Sequence, residues 1–219
     1  MSNPKRQIFE HLAELARTLG HTHRLELVEH LAQGERSVEA LAQLTGLTVA
    51  NASQHLQHLR RHGFAQTRRD GKRVLYRLGE GPILDVLAAF RRLAEHNVAE
   101  VREVVTAYFD RLDSFEAISR EELAQRLQER SITLLDVRPQ DEFALGHLPG
   151  ALNIPLADLQ QRLADLPPNQ EVVAYCRGPY CVLSFEAVAE LRRLGYRVRR
   201  LEDGYPEWKA AGLPVEAVS

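Results

Sequence analysis

Residues Ser37–Leu78, SVEALAQLTGLTVANASQHLQHLRRHGFAQTRRDGKRVLYRL, carry the signals of two capped helices and a basic hairpin in close succession. Ser37 can accept a backbone N–H at the start of a short helix containing Leu41 and Leu44. Gly46 can end that helix, and Thr48 can cap the next, which runs to Gly63. In the second helix Val49, Ala52, Leu56 and Leu59 recur at spacing three, four, three and predict a buried face. Asn51, Gln54, His58 and Arg61 recur at the same spacing on the opposite face, with Ser53 and Gln57 at its margins. His55 falls toward the buried side and is read as packed or internally hydrogen-bonded. Phe64–Arg69 and Lys72–Leu78 flank Asp70-Gly71, a two-residue hairpin signal, because glycine tolerates the positive φ that such turns require.

The outer face of the second helix carries amides and an arginine rather than Glu/Lys pairs. Asn or Gln can bond adenine, and Arg guanine, through two hydrogen bonds at the base edge. Between Gln54 and Arg77 stand Arg60, Arg61, Arg68, Arg69, Lys72, Arg73 and Arg77 against the single acid Asp70, a patch that attracts a polyanion. Arg68, Arg69, Lys72 and Arg73 are expected on phosphates, and Asn51, Gln54 and His58 at bases.

Outward from this stretch, Ile8, Leu12, Leu15, Ala16 and Leu19 keep helical spacing up to Gly20, and Leu25, Leu27, Val28 and Leu31 do so up to Gly34. From Pro82 to about Leu112 the apolar residues Ile83, Val86, Leu87, Phe90, Leu93, Val98, Val101, Val104, Val105 and Phe109 predict one helix, too long to be covered by so small a domain. It is expected to pack against a second copy of itself. Beyond it, strand-like runs Ile132–Val137, Val172–Tyr175 and Val198–Leu201 alternate with helical stretches Arg120–Glu129, Leu156–Leu163 and Leu183–Leu194. That order predicts an α/β domain with a largely parallel sheet and reactive groups at the carboxyl ends of its strands.

The 219 residues suit two small domains, and a composition 44% hydrophobic and 26% charged excludes a disordered, collagen-like or disulfide-scaffold chain. No apolar run approaches the ~20 residues of a membrane span, so the expectation is a cytoplasmic protein with no membrane partner. The net charge of −2 hides an asymmetry: residues 1–113 hold 16 Lys and Arg, 14 Asp and Glu and eight of the nine histidines, whereas residues 114–219 hold 12 and 16. The junction is placed at 113–118, giving domains 1–113 and 117–219.

Both cysteines, Cys176 and Cys181, fall in one hexapeptide. A crosslink closing so short a loop adds little stability, because the entropy removed from the unfolded chain grows with loop length. Their role is read as chemical. Cys176 follows the apolar strand Val172–Tyr175 and precedes a helix beginning near Val182, so the N–H groups of Arg177, Gly178, Tyr180, Cys181 and Val182 and the positive helix end are aimed back at the sulfur. That lowers the thiol pKa, and a thiolate there is a good nucleophile toward the outer sulfur of thiosulfate or a polysulfide. Arg177 offers a positive charge to the incoming anion, while Pro179 supplies no N–H. Cys181 is read either as a helix-packing residue or as one that resolves a persulfide on Cys176.

The N-terminal stretch resembles the winged helix-turn-helix of the ArsR-type bacterial repressors over about residues 5–110, through Ser53-Gln54-His55-Leu56 to Leu59 and the basic wing that follows. The resemblance implies a homodimer, formed by the first and last helices, on a palindromic operator duplex. The metal-sensing variants have cysteines before the recognition helix or clustered Asp, His and Glu on the last helix. Val38–Leu44 contains no cysteine, and the last helix offers only the distant pair Asp85 and His96. His11, His21 and His23 are read as polar surface rather than zinc ligands, so neither a metal nor a cofactor is expected.

The second half is similar to the rhodanese sulfurtransferase domain over about residues 117–215. LLDVRPQDEFALGHLPGALNIP at 134–155, the loop YCRGPYC and LEDGYPEWKAAGLPV at 201–215 occur in the family's order. The resemblance implies that Asp136, Arg138, Glu142 and His147 brace the sheet near the loop, and that a six-residue loop suits sulfur transfer. Phosphatase and arsenate-reductase relatives have Arg at the sixth position after the cysteine, where this chain has Val182. The leading expectation is a repressor whose rhodanese domain transfers or senses sulfane sulfur. The alternatives are a sulfurtransferase merely tethered to DNA and a catalytically silent partner-binding module.

Overall fold

The computed structural model describes residues 3–110, 117–167 and 169–218. By its contacts the chain divides into two compact units, Met1–Ile83 and Leu84–Ser219. The boundary expected at 113–118 lies almost wholly outside the described residues.

In the first unit the order is α1 (Pro4–Leu19), α2 (Thr22–Gln33), β1 (Arg36–Ser37), α3 (Val38–Leu44), α4 (Val49–Arg61), β2 (Ala65–Asp70) and β3 (Arg73–Leu78). The caps act as read from the sequence: Ser37 accepts from the Ala40 N–H and Thr48 from the Asn51 N–H. Gly46 and Gly63 take φ of 66° and 80° just past α3 and α4. Beyond each glycine the chain turns back, with the Leu47 N–H on the Ala42 carbonyl and the Phe64 N–H on the Leu59 carbonyl, both 2.9 Å. Leu27, Val28, Leu31, Leu41, Ala52, Leu56, Leu59, Phe64 and Tyr76 form the core. Val49, expected in that core, stands 49% exposed in the first turn of α4.

The wing is a three-stranded antiparallel sheet in the order β1-β3-β2. Asp70 pairs with Arg73, so the two turn residues are Gly71 and Lys72 rather than Asp70 and Gly71. Gly71 takes the left-handed conformation, with φ of 58°, that the first turn position demands.

The second unit contains most of α5 (Ile83–Asn97), then α6 (Ala99–Val104) and a π-helical turn, Val105–Asp110. The single helix expected from Pro82 to about Leu112 is therefore broken at Val98, whose backbone is extended. Asn97 Nδ2 bonds the Leu93 carbonyl, and Arg102 Nη1 covers the Glu95 and His96 carbonyls that the break leaves without helical donors.

The sheet of this unit is fully parallel, β5-β4-β6-β7, built from β4 (Ile132–Asp136), β5 (Leu152–Asn153), β6 (Glu171–Tyr175) and β7 (Val198–Arg200). The surrounding helices are α7 (Arg120–Gln128), α8 (Gln140–Leu145), α9 (Val182–Arg193) and α10 (Tyr205–Ala210). The helix expected over Leu156–Leu163 is instead two short 3₁₀ turns, Leu156–Gln161 and Leu163–Asp165. Side chains alternate across β6: Val172, Ala174 and then Cys176 join the core under α9, whereas Val173 and Tyr175 join the core with Tyr205 and Trp208. Burial on both faces explains why this strand reads as an unbroken apolar run. Among the described residues no helix is long and apolar enough to cross a membrane.

Candidate functional sites: a recognition helix and a cysteine loop

On α4, Asn51, Gln54, Gln57 and Arg61 are exposed, and Ser53 is half-buried with its hydroxyl bonded to Gln57 Nε2. On the wing, Arg69, Lys72 and Arg73 project into solvent. Two expected DNA contacts are placed differently. His58 turns toward α1, with Nε2 3.3 Å from the hydroxyl of the fully buried Thr18, and is half-buried where Asn51 and Gln54 are exposed. Arg68 is held by two nitrogens on the Glu35 carboxylate, at 2.6–3.3 Å, which offsets the charge expected to meet a phosphate.

His55 lies on the inner side, as expected, and its ring forms a cluster with His21 and His23 at centroid distances of 4.5 and 6.0 Å. His23 Nδ1 is tied to Glu26 at 3.0 Å. Among the described residues no group of three or more His, Cys, Asp or Glu is arranged to hold a metal ion. Burial, then the charges of His21, Arg24, His23 and His58, lowers the His55 pKa; burial, then Arg24, His62 and Arg61, lowers that of His58 against the opposing pull of Glu14. The unfolded chain therefore binds more protons than the fold below the ordinary histidine value of 6.5, and stability falls as the pH drops through it, levelling off below the lowered folded values. The unfolding midpoint of the first unit should drop between about pH 7.5 and about pH 5.5, and a His55→Gln/His58→Gln protein should lose much of that drop. An undiminished drop in the double variant would refute the assignment.

In the second unit β6 ends at Tyr175, and Cys176 opens the loop that closes at Cys181, directly before α9. The two cysteines are joined by a disulfide, with Cα atoms 6.1 Å apart. Both are buried, Cys176 at 1% and Cys181 at 8% exposure. The Cys181 N–H is spent within the loop on the Gly178 carbonyl at 3.1 Å, so it drops out of the expected anion cradle and leaves Arg177, Gly178, Tyr180 and Val182 as its candidate donors. The Tyr205 N–H fixes the Cys176 carbonyl at 3.0 Å. Gly204 presses on the loop so closely that a Cβ there would lie 2.3 Å from the Gly178 nitrogen.

Arg177 does not offer its charge outward. Its Nε and Nη2 grip the buried Glu142 carboxylate at 2.7–3.1 Å, which makes the side chain a brace for the loop. Deeper still, Arg138 and Asp136 form an ion pair at 2.6 Å with both side chains fully buried. Arg138 also donates to the Gly146 carbonyl at 2.7 Å and lies 4.3 Å from the Tyr205 ring. His147 stacks on Phe143 at 3.7 Å and bonds its carbonyl. Glu207 escaped the sequence reading, although Gly204 three residues earlier marks a helix start closed by a glutamate. Its Oε2 accepts the Gly204 N–H at 3.2 Å and its Oε1 meets Arg91 at 3.2 Å. Burial pushes this carboxyl above its ordinary range, while Arg91 draws it down and Asp203 raises it.

A helix-turn-helix domain matches residues 19–68 and a rhodanese-like domain residues 119–211. The HTH-type transcriptional regulator Rv0324 of Mycobacterium tuberculosis is 42% identical over 216 residues, covering 98% of this chain and 94% of that protein. The chain belongs to this family of helix-turn-helix transcriptional regulators. The rhodanese-like half of the regulator has a relative of its own, a protein named "Sulfurtransferase" from Allochromatium vinosum, 37% identical over 102 residues, or 46% of this chain and 94% of that protein. A solved homodimeric winged helix-turn-helix DNA-binding domain from Mycobacterium bovis is 32% identical, covers 46% of the regulator and 93% of its own chain, and superposes with a TM-score of 0.42. In the regulator, α4 is the last helix within the helix-turn-helix match, and Cys176 and Cys181 bound a loop within the rhodanese-like match.

Proposed function

We propose that this transcriptional regulator binds a palindromic operator as a homodimer and that its rhodanese domain accepts sulfane sulfur on Cys176, with uptake weakening operator binding. The observation that carries the sulfur reading is the loop itself: two cysteines within bonding reach, one ending a buried strand and the other heading a helix. In its reduced form Cys176 thiolate attacks the outer sulfur of thiosulfate or a polysulfide. A bond forms from Sγ to that sulfur, the donor's S–S bond breaks, and its electron pair leaves with sulfite or the shortened polysulfide. An acceptor thiol or cyanide can then take the outer sulfur. Alternatively Cys181 thiolate attacks Cys176 Sγ, forming the disulfide and expelling hydrosulfide, so the sulfane sulfur itself is the oxidant.

The dimer reading is supported by apolar side chains that a single chain leaves uncovered. Ile8, Phe9 and Leu12 on α1 are 52–60% exposed, and Val86, Phe90 and Leu93 on α5 are 39–58% exposed. A dimer would present two α4 helices to successive major grooves, with Asn51 and Gln54 at base edges and Arg69, Lys72 and Arg73 at phosphates. Replacing Asn51 or Gln54 by alanine should cost about 1–3 kcal/mol of binding and relax specificity, whereas removing a wing charge should mainly flatten the salt dependence. Titration of a selected duplex and a scrambled one tests this: equal affinity for both, or a monomer by sedimentation, would refute the operator reading. For the rhodanese half, intact mass after polysulfide treatment should show one added sulfur on Cys176, or the loss of two hydrogens on closing the crosslink. No change in mass would refute sulfur uptake.

A further inference from the structure

Arg91 and Glu95 stand one turn apart on α5 and therefore share a face of that helix. Each reaches a different part of the cysteine loop's frame. Glu95 accepts a hydrogen bond from the hydroxyl of Tyr180, the residue immediately before Cys181. Arg91 pairs with Glu207 at 3.2 Å, and the Glu207 side chain is only 14% exposed. Through its second oxygen Glu207 holds Gly204, whose backbone abuts Arg177 and Gly178 just after Cys176. The π-helical turn that follows α6 closes on the same place: Phe109 lies 5.5 Å from the Tyr180 ring and 4.8 Å from Phe185 in the first turns of α9, and the Tyr108 hydroxyl bonds Glu186 at 3.0 Å. The segment leading out of the DNA-reading unit thus touches the loop beside both cysteines.

We propose that α5 reads the chemical state of the loop through the Tyr180–Glu95 and Glu207–Arg91 contacts, which form a clasp when Cys176 and Cys181 are crosslinked and loosen when the crosslink opens. The inference rests on the sulfur-gated reading of the regulator and names the contacts that carry the gating. A loop state can bias α5 only through contacts that differ between states. The crosslink supplies that difference, because it fixes Cys181, and with it Tyr180, relative to Cys176. With the two thiols reduced and separate, the position of Tyr180 is no longer imposed by a covalent ring. The charged partners on α5 then exchange loop contacts for water.

The test uses the full chain and a duplex selected from a random pool by the reduced protein, titrated with reduced protein and with protein crosslinked by disodium tetrasulfide. In the parent protein the crosslink should weaken binding about fivefold or more. In the Arg91→Ala/Glu95→Ala protein the difference should shrink below about twofold, while intact mass shows the same uptake and crosslinking. A double variant that keeps the parent's full difference would overturn the clasp and leave sulfur gating standing. A double variant that no longer forms the crosslink would also overturn it, since these residues would then serve the loop's chemistry. No difference in the parent protein would overturn the gating and the clasp together. Hydrogen exchange of residues 84–97 in the parent protein gives a reading that needs no variant: slower exchange in the crosslinked form is expected, and equal exchange in both forms contradicts the clasp.

Discussion

Cys176→Ser protein should take up no sulfur from thiosulfate or polysulfide, whereas Cys181→Ser protein should still take up one atom. A serine hydroxyl at the end of β6 is a far weaker acid and nucleophile than a thiol, and an alcohol oxygen does not form the S–S bond in which the sulfane atom is stored. In the proposed sequence Cys181 enters only afterwards, as the group that displaces hydrosulfide, so its loss should trap the persulfide and slow its decay. Intact mass distinguishes the outcomes. Equal loss in both variants, or sulfur uptake in Cys176→Ser, would reverse the assignment of nucleophile.

Asp136→Ala carries the second large effect, on stability. Its carboxylate is fully buried and is the ion-pair partner of the equally buried Arg138, which it meets through Nε, Nη2 and the Arg138 backbone N–H. Removing one member of such a pair takes from the guanidinium the carboxylate that pairs with it directly in a low-dielectric core and costs about 3–5 kcal/mol. For a unit of this size each kcal/mol moves the unfolding midpoint by about 3–5 °C. The loss should appear in the rhodanese transition of a calorimetric scan and leave that of the DNA-reading unit in place. A shift of only a degree or two in the rhodanese transition would mean that water or a neighbouring group satisfies Arg138 when Asp136 is gone.

Features set by neighbouring residues were legible in the chain: the caps at Ser37 and Thr48, the helix ends at Gly46 and Gly63, and the apolar run of β6. Each depends on backbone groups within a few positions, or on a periodicity that a strand or helix imposes. What the chain did not disclose is set by partners far along it. Glu142 neutralises Arg177 from 35 residues away, and Glu35 takes Arg68 from 33, so two arginines read as ligands for anions are ion-pair partners within the fold. His58 was placed by helical spacing on the outer face, yet Thr18, 40 residues earlier, draws it inward. The break at Val98 is a local event, but apolar spacing continues through it, and the helix stops where Asn97 and Arg102 side chains take over the carbonyls of the preceding turn.

That the sulfur state of the Cys176 loop governs operator binding is tested by titrating one operator duplex with four samples: reduced, persulfidated and crosslinked protein, and reduced Cys176→Ser. Reduced protein and the serine variant should bind alike, and the persulfidated and crosslinked forms should bind about 5–150-fold more weakly, the range of typical coupling between sites. Affinities agreeing within about twofold across all four would contradict it and describe two tethered domains that work independently.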